Sequence, residues 1–335
     1  MVFVSLGLLV ALMAAVFGPA GPDLQLVYIQ QTGRARDLFL LDVWRGVRLN
    51  LTHSGDVSID APPSWSPDGE YVAYSAGRDL YVVSPGKAPQ QLNAAGLVFS
   101  ELTWSPDGRY LAYMPVRSAR QYLYVLDLNT EADFRPGDAI EGDSPAWSPD
   151  GRYIAYKDYT GQGNVLGVDM RENVTRHLLN VSAVPLAGSG GLPLRTSSAR
   201  PVIWSPDSTR FAVQVDRGDT SGIYAVEVAT GDMRLLTSPW LAAWSPTWSP
   251  DGVRLAVSVM DASGQHDLRV IDIASGETRV LDYGLRPVWS PAAYILYMRT
   301  PPGGTPAWAI IRGDGAGFRR LPLDITTVYN PAWRP

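Results

Sequence analysis

Trp65-Ser66-Pro67-Asp68-Gly69 recurs as Trp104-Ser105-Pro106-Asp107-Gly108, as Trp147-Ser148-Pro149-Asp150-Gly151 and as Trp248-Ser249-Pro250-Asp251-Gly252. A variant, Trp204-Ser205-Pro206-Asp207-Ser208, keeps four of the five residues, and Trp289-Ser290-Pro291 and Trp333-Arg334-Pro335 are decayed copies. Successive tryptophans lie 39, 43, 57, 44, 41 and 44 residues apart. A period of this length with one turn signal per unit predicts a β-propeller with one four-stranded blade per repeat.

Each copy reads as local structure. Ser-Pro-Asp-Gly is a turn: serine opens it, proline presets φ, aspartate bonds to nearby backbone and glycine closes it. This assigns Asp68, Asp107, Asp150, Asp207 and Asp251 to their own turns, and the tryptophans to packing between blades. A short alternating strand follows, as in Tyr71-Val72-Ala73-Tyr74, Tyr110-Leu111-Ala112-Tyr113 and Tyr153-Ile154-Ala155-Tyr156. A third strand ends in an acid, as in Leu123–Asp127, Ile223–Glu227 and Leu268–Asp272. The fourth, such as Arg234–Thr237 or Thr278–Leu281, is short and polar, as the exposed edge of a sheet requires.

Counting these strands fixes the closure. Of the tryptophan strands, the last, Asn330–Trp333, has no further three behind it, whereas Leu26–Tyr28, Leu38–Asp42 and Arg48–Thr52 have no tryptophan strand before them. Joining both ends in one composite blade removes the unpaired edges of an open array. The expectation is an all-β, seven-bladed propeller over residues 26–335 with an N/C-terminal composite closing blade.

The Trp-Ser-Pro-Asp-Gly turn, the Tyr-Ile-Ala-Tyr type of strand and the acid-ended third strand resemble the TolB-like, WD-like propeller repeat over roughly residues 23–335. The resemblance implies an envelope protein, a peptidase accessory domain or one of a few lyases. The chain departs from TolB itself in blade number, since TolB has six, and shows no extra N-terminal α/β domain. Fold resemblance of this kind leaves function open.

Met1–Phe17 reads MVFVSLGLLVALMAAVF, apolar apart from Ser5. As a helix it would span about 25 Å, a little short of a ~30 Å hydrocarbon core. Gly18, Pro19, Gly21 and Pro22 end it. The first cation is Arg34, so the basic leader of a signal peptide is missing. The expectation is a membrane anchor over residues 1–18 and a linker over 19–25; a cleaved signal peptide is the alternative. The first arrangement tethers the propeller on the periplasmic side, and the second releases it as a secreted or periplasmic protein.

Composition excludes several classes. Across 335 residues, 46% apolar, the net charge is −5 and no basic run occurs, which argues against nucleic acid. Lysine stands only at Lys87 and Lys157, and cysteine is absent, excluding disulfides and thiolate chemistry. Ser189, in Gly188-Ser189-Gly190-Gly191, lacks the spacing of a nucleophile elbow. His53, His177 and His266 fall in different blades, with His177 in an outer strand and His266 in a loop, so a shared metal is not expected.

Two insertions break the period: Val181–Arg200, between an outer strand and the next inner one, and the acidic Asn129–Asp143, placed between third and fourth strands on the opposite face. Long loops on a rigid scaffold are where binding resides. No catalytic, cofactor-binding or metal-binding residue is assigned, and no cofactor. The expected role is a non-catalytic scaffold or accessory subunit with protein partners in an envelope membrane complex. A channel-site lyase or hydrolase and a small-ligand sensor are the alternatives.

Overall fold

The computed structural model describes residues 23–92, 99–115, 121–138, 141–158, 164–180, 195–196, 202–217, 220–237, 242–261 and 263–335. Among these the regular structure is entirely β-strand, and no helix is long and apolar enough to cross a membrane. The expected anchor, residues 1–18, lies outside the described residues. The fold is an all-β, propeller-like array of antiparallel sheets, each built on one of the repeated tryptophans.

The Trp65 sheet joins Ser64–Trp65, Val72–Ala76, Asp79–Val83 and Gln90–Gln91 in that order. The Trp104 sheet orders Phe99–Trp104, Tyr110–Pro115, Tyr124–Asp127 and Ala132–Phe134 in the same way, and the Trp147 sheet orders Gly142–Trp147, Tyr153–Asp158, Val165–Asp169 and Val174–Leu179. In the Trp204 sheet, both Ile203–Trp204 and Arg195–Thr196 pair with Arg210–Arg217, followed by Thr220–Glu227 and Met233–Leu235. The Trp248 and Trp289 sheets share one continuous strand, Thr278–Trp289. Its first half pairs with His266–Asp272 as an outer strand, and its second half pairs with Tyr294–Arg299 as the next inner strand.

The two ends of the chain pair directly. Val328–Trp333 lies antiparallel to Gln25–Thr32, with Leu26 opposite Trp333 and Val27 opposite Ala332; Ala35–Asp42 and Arg48–Asn50 complete the sheet. Buried apolar clusters sit between successive sheets. One joins Val27, Ile29 and Leu38 of the Trp333 sheet to Trp65, Val72 and Tyr74; another joins Leu26, Tyr28 and Leu41 to Leu296, Trp308 and Ile310 of the Trp289 sheet. Both faces of the terminal sheet are therefore buried, and no face of it is left to solvent as in an open array.

The Ser-Pro-Asp turns that open five of the second strands are locked by their own side chains. Ser66 Oγ donates to Asp68 Oδ1 (2.5 Å) and accepts from the Tyr71 N–H (2.9 Å), while the Glu70 N–H donates to Asp68 Oδ1 (2.9 Å). The same bonds recur around Ser105, Ser148, Ser205 and Ser249. Glycine is favoured at the fifth position because φ there is positive, 68° at Gly69 and 72° at Gly151, though Ser208 takes the same conformation at 60°.

Two placements differ from expectation. The acidic segment Asn129–Asp143 contains the fourth strand itself, Ala132–Phe134, and Arg135–Glu141 then runs on to the next inner strand. Most of its added length therefore follows the fourth strand instead of preceding it. The cause is that Asp127 accepts the Asn129 N–H (2.9 Å), closing the turn after the third strand at once. His266 opens the strand His266–Asp272 instead of sitting in a loop. The insertion Val181–Arg200 lies outside the described residues except for Arg195-Thr196, and Ser189 lies outside them as well.

Candidate functional site

The inner strands converge on a central cavity of about 740 Å³. Residues one before six of the seven repeated tryptophans line it: Ser64, Thr103, Ala146, Ile203, Val288 and Ala332, all half-buried and all small or β-branched. The position two before the tryptophan carries proline in five of the repeats, at Pro63, Pro145, Pro246, Pro287 and Pro331. An inner strand has no partner on its channel side, so proline costs it no ladder bond and blocks pairing with another chain.

Four of these prolines, Pro145, Pro246, Pro287 and Pro331, sit in β-bulges. In the Trp147 sheet Asp143 faces Lys157 and Ala146 faces Ala155, so Ser144 and Pro145 together oppose Tyr156. Ser245-Pro246, Arg286-Pro287 and Asn330-Pro331 repeat the shift opposite Val257, Tyr297 and Tyr28. The residue before each of these prolines is left-handed: φ is 57° at Ser144, 54° at Ser245, 54° at Arg286 and 48° at Asn330. Asparagine and small polar residues tolerate this region; an arginine held there costs of order 1–3 kcal/mol. Proline two residues before tryptophan was the visible signal for this feature, and turn-reading alone passes over it.

Among the lining residues the ionisable ones are Asp60 and Arg286, both exposed. Neither forms an ion pair among the described residues. Arg286 is held through its backbone N–H, which donates to Ser258 Oγ (3.1 Å). Asn330, on the inner strand between them, donates Nδ2–H to the Ile59 carbonyl (2.7 Å) and so fixes the chain beside Asp60.

The aspartates of the turns face away from this cavity's chemistry. The hydrogen bond from Ser66 and the Glu70 N–H hold the Asp68 carboxyl below its ordinary value. At Asp207 and Asp251 burial pushes the carboxyl up, but the bonds from Ser205 and Thr209, and from Ser249 and Val253, outweigh it and leave both lowered. The histidines do not converge. His53 is exposed in a left-handed turn, His177 is exposed on an outer strand opposite Leu166, and His266 packs its ring 5.5 Å from that of Trp244. Among the described residues no three His, Asp or Glu side chains are placed to hold a metal ion.

A sequence model of the TolB beta propeller domain matches residues 80–335. The chain belongs to this family. The solved structures similar to it include TolB from Acinetobacter baumannii, at 20% identity and a TM-score of 0.54, covering 92% of this chain and 82% of that one. A puromycin-hydrolyzing peptidase of Mycobacterium tuberculosis is similar at 16% identity and a TM-score of 0.67, covering 89% of this chain but 52% of the peptidase. A putative 6-phosphogluconolactonase from Bacteroides uniformis is similar at 13% identity and a TM-score of 0.61, covering 93% of this chain and 100% of that one. At these identities the likeness is one of fold. No curated protein matches the chain in sequence. Within this TolB-family propeller the peptidase is matched over about half its length.

Proposed function

We propose that residues 26–335 form a seven-bladed, non-catalytic interaction disc, tethered by residues 1–18 on the extracytoplasmic side of a membrane. It serves there as a scaffold or accessory subunit of an envelope membrane complex. The observation that carries this reading is the unequal use of the two ends of the sheets. One end holds the Ser-Pro-Asp-Gly turns and the tight turns after the third strands, each closed on its own side chains. The other end carries the longer connections, among them 51–63, 135–141, 300–306 and 321–327. A rigid disc with variable loops gathered on one face is a binding architecture.

Seven inter-sheet apolar clusters, each shared by two successive sheets, support the blade count. The mostly apolar, proline-lined channel supports the non-catalytic part, and the length and apolarity of Met1–Phe17 support the tether. The test is extraction of the full chain from its own membranes in a mild non-ionic detergent. Recovery in the membrane fraction with a stoichiometric protein partner is expected. A soluble chain lacking residues 1–18 would remove the tether, and a partnerless monomer carrying a metal in its channel would overturn the scaffold.

A further inference from the structure

The bulges of the inner strands give four equivalent left-handed positions, and their occupants are serine, serine, asparagine and arginine. Short polar side chains suit that backbone, because they reach it with local hydrogen bonds. Arg286 does not. Its long stem gains nothing from the conformation, its guanidinium forms no ion pair among the described residues, and it stands exposed on the wall of a 740 Å³ cavity. The backbone explains a small polar residue at this position; only the side chain explains an arginine.

The surroundings define what that side chain would meet. Val288, Trp308, Pro331 and Ala332 line the same part of the cavity, and Trp308 comes from the third strand of the Trp289 sheet. Such a largely apolar pocket with one cation on its wall has the makeup of a small-molecule site, and its volume falls in the usual range. Asp60, set two inner strands away beyond Asn330, is the opposing charge. It disfavours ligands with a second negative group, as a like charge in a shared cavity does.

We propose that the channel binds a small monocarboxylate with an apolar body, its carboxylate on the Arg286 guanidinium and its body against Val288, Trp308 and Pro331. A planar guanidinium matches a carboxylate through two parallel N–H bonds, which fixes the orientation of the bound acid. This site does not depend on the scaffold reading, since a partner could hold the opposite end of the disc or the outer loops.

The probe is 4-phenylbutyrate, titrated into the full chain in non-ionic detergent and followed by tryptophan fluorescence and calorimetry. Its neutral amide serves as control, because partition into the micelle would favour the amide. Saturable binding is expected, about tenfold or more tighter for the acid than for the amide, as one charge-assisted contact is worth. Arg286→Asn suits the left-handed backbone, so it is expected to keep or raise the melting temperature while weakening the acid about tenfold or more. Asp60→Asn is expected to tighten the acid and to admit a dicarboxylate such as glutarate. Equal binding of acid and amide, no saturable binding, or unchanged affinity in a folded Arg286→Asn protein would each overturn the site.

Discussion

Trp104 donates its indole N–H to the carbonyl of Ser64, 3.0 Å away in the preceding sheet. Trp204 makes the same bond to Ala146, Trp248 to Ile203, Trp333 to Val288 and Trp65 to Ala332. In each case the acceptor is the residue just before the neighbouring tryptophan. The repeated tryptophans thus staple sheet to sheet around the channel wall. Trp147 and Trp289 are the exceptions, with buried indole nitrogens that have no partner. Both face a threonine at the acceptor position. Thr103 Oγ1 takes the Trp147 backbone N–H (3.3 Å), and Thr247 Oγ1 takes that of Trp289 (3.4 Å).

Substituting phenylalanine separates the two classes. Trp104→Phe loses a made hydrogen bond to the Ser64 carbonyl, whereas Trp147→Phe removes a donor that was already unpaired. The first is expected to cost about 1 kcal/mol more than the second. Urea midpoints at constant slope measure this. Equal costs would mean that the staple adds nothing to packing.

Gly142 sits below the ring of Tyr156, where an added Cβ would lie 2.2 Å from the Lys157 carbonyl oxygen and 2.6 Å from Tyr156 Cδ2. The obstacle is backbone as well as a buried ring, so neither can yield cheaply. Gly142→Ala is expected to destabilise by about 2–3 kcal/mol, through overpacking alone, since φ there is unexceptional. Gly33→Ala is the contrast: nothing lies within 4 Å of its Cβ, but φ is +63°. It should cost about 1 kcal/mol by backbone conformation. Thermal melts of the pair, one buried and one at a hairpin tip, distinguish the two causes.

The sequence legibility of this molecule follows from periodicity. Trp-Ser-Pro-Asp-Gly encodes its turn within five residues, so inner and second strands can be placed from the string alone. The pairing of Leu26 with Trp333 was also reachable, because the count of orphan strands demanded it. The acidic segment was misplaced because its fourth strand, Ala132-Asp133-Phe134, is too short and polar to announce itself. Arg286 was invisible as a site residue. Its meaning depends on a bulge that sets it against the other inner strands, and no local pattern distinguishes it from Ser144 or Ser245.

The second-strand tyrosines make stability sensitive to alkali. Burial raises Tyr74 well above the ordinary 10.0, and at Tyr297 burial is reinforced by the bond to Asp282 Oδ2 (2.5 Å). Tyr28 is also raised by burial, partly offset by Arg48. A phenol whose folded value exceeds its unfolded one stabilises fully below the unfolded value, and that contribution is lost as pH rises beyond it. The fold is therefore expected to weaken from about pH 10 upward. Phenolate absorbance should show these tyrosines ionising only together with unfolding; free titration of all sixteen tyrosines in the folded state would contradict their burial.

The closing sheet can be tested by covalent capture. Val27 and Ala332 are direct partners across the terminal strands, and the chain has no cysteine to interfere. Val27→Cys with Ala332→Cys should form a single intramolecular disulfide on mild oxidation, because paired strands hold Cα atoms within bridging distance. The bond would close nearly the whole chain into one loop, where the entropy removed from the unfolded state is large. A stabilisation of about 2–4 kcal/mol over the reduced double variant is expected. The reduced double variant is the proper reference, since it carries the same packing loss. If the ends were apart in solution, the pair would stay reduced or link separate chains, and oxidation would leave the monomer's melting temperature unmoved.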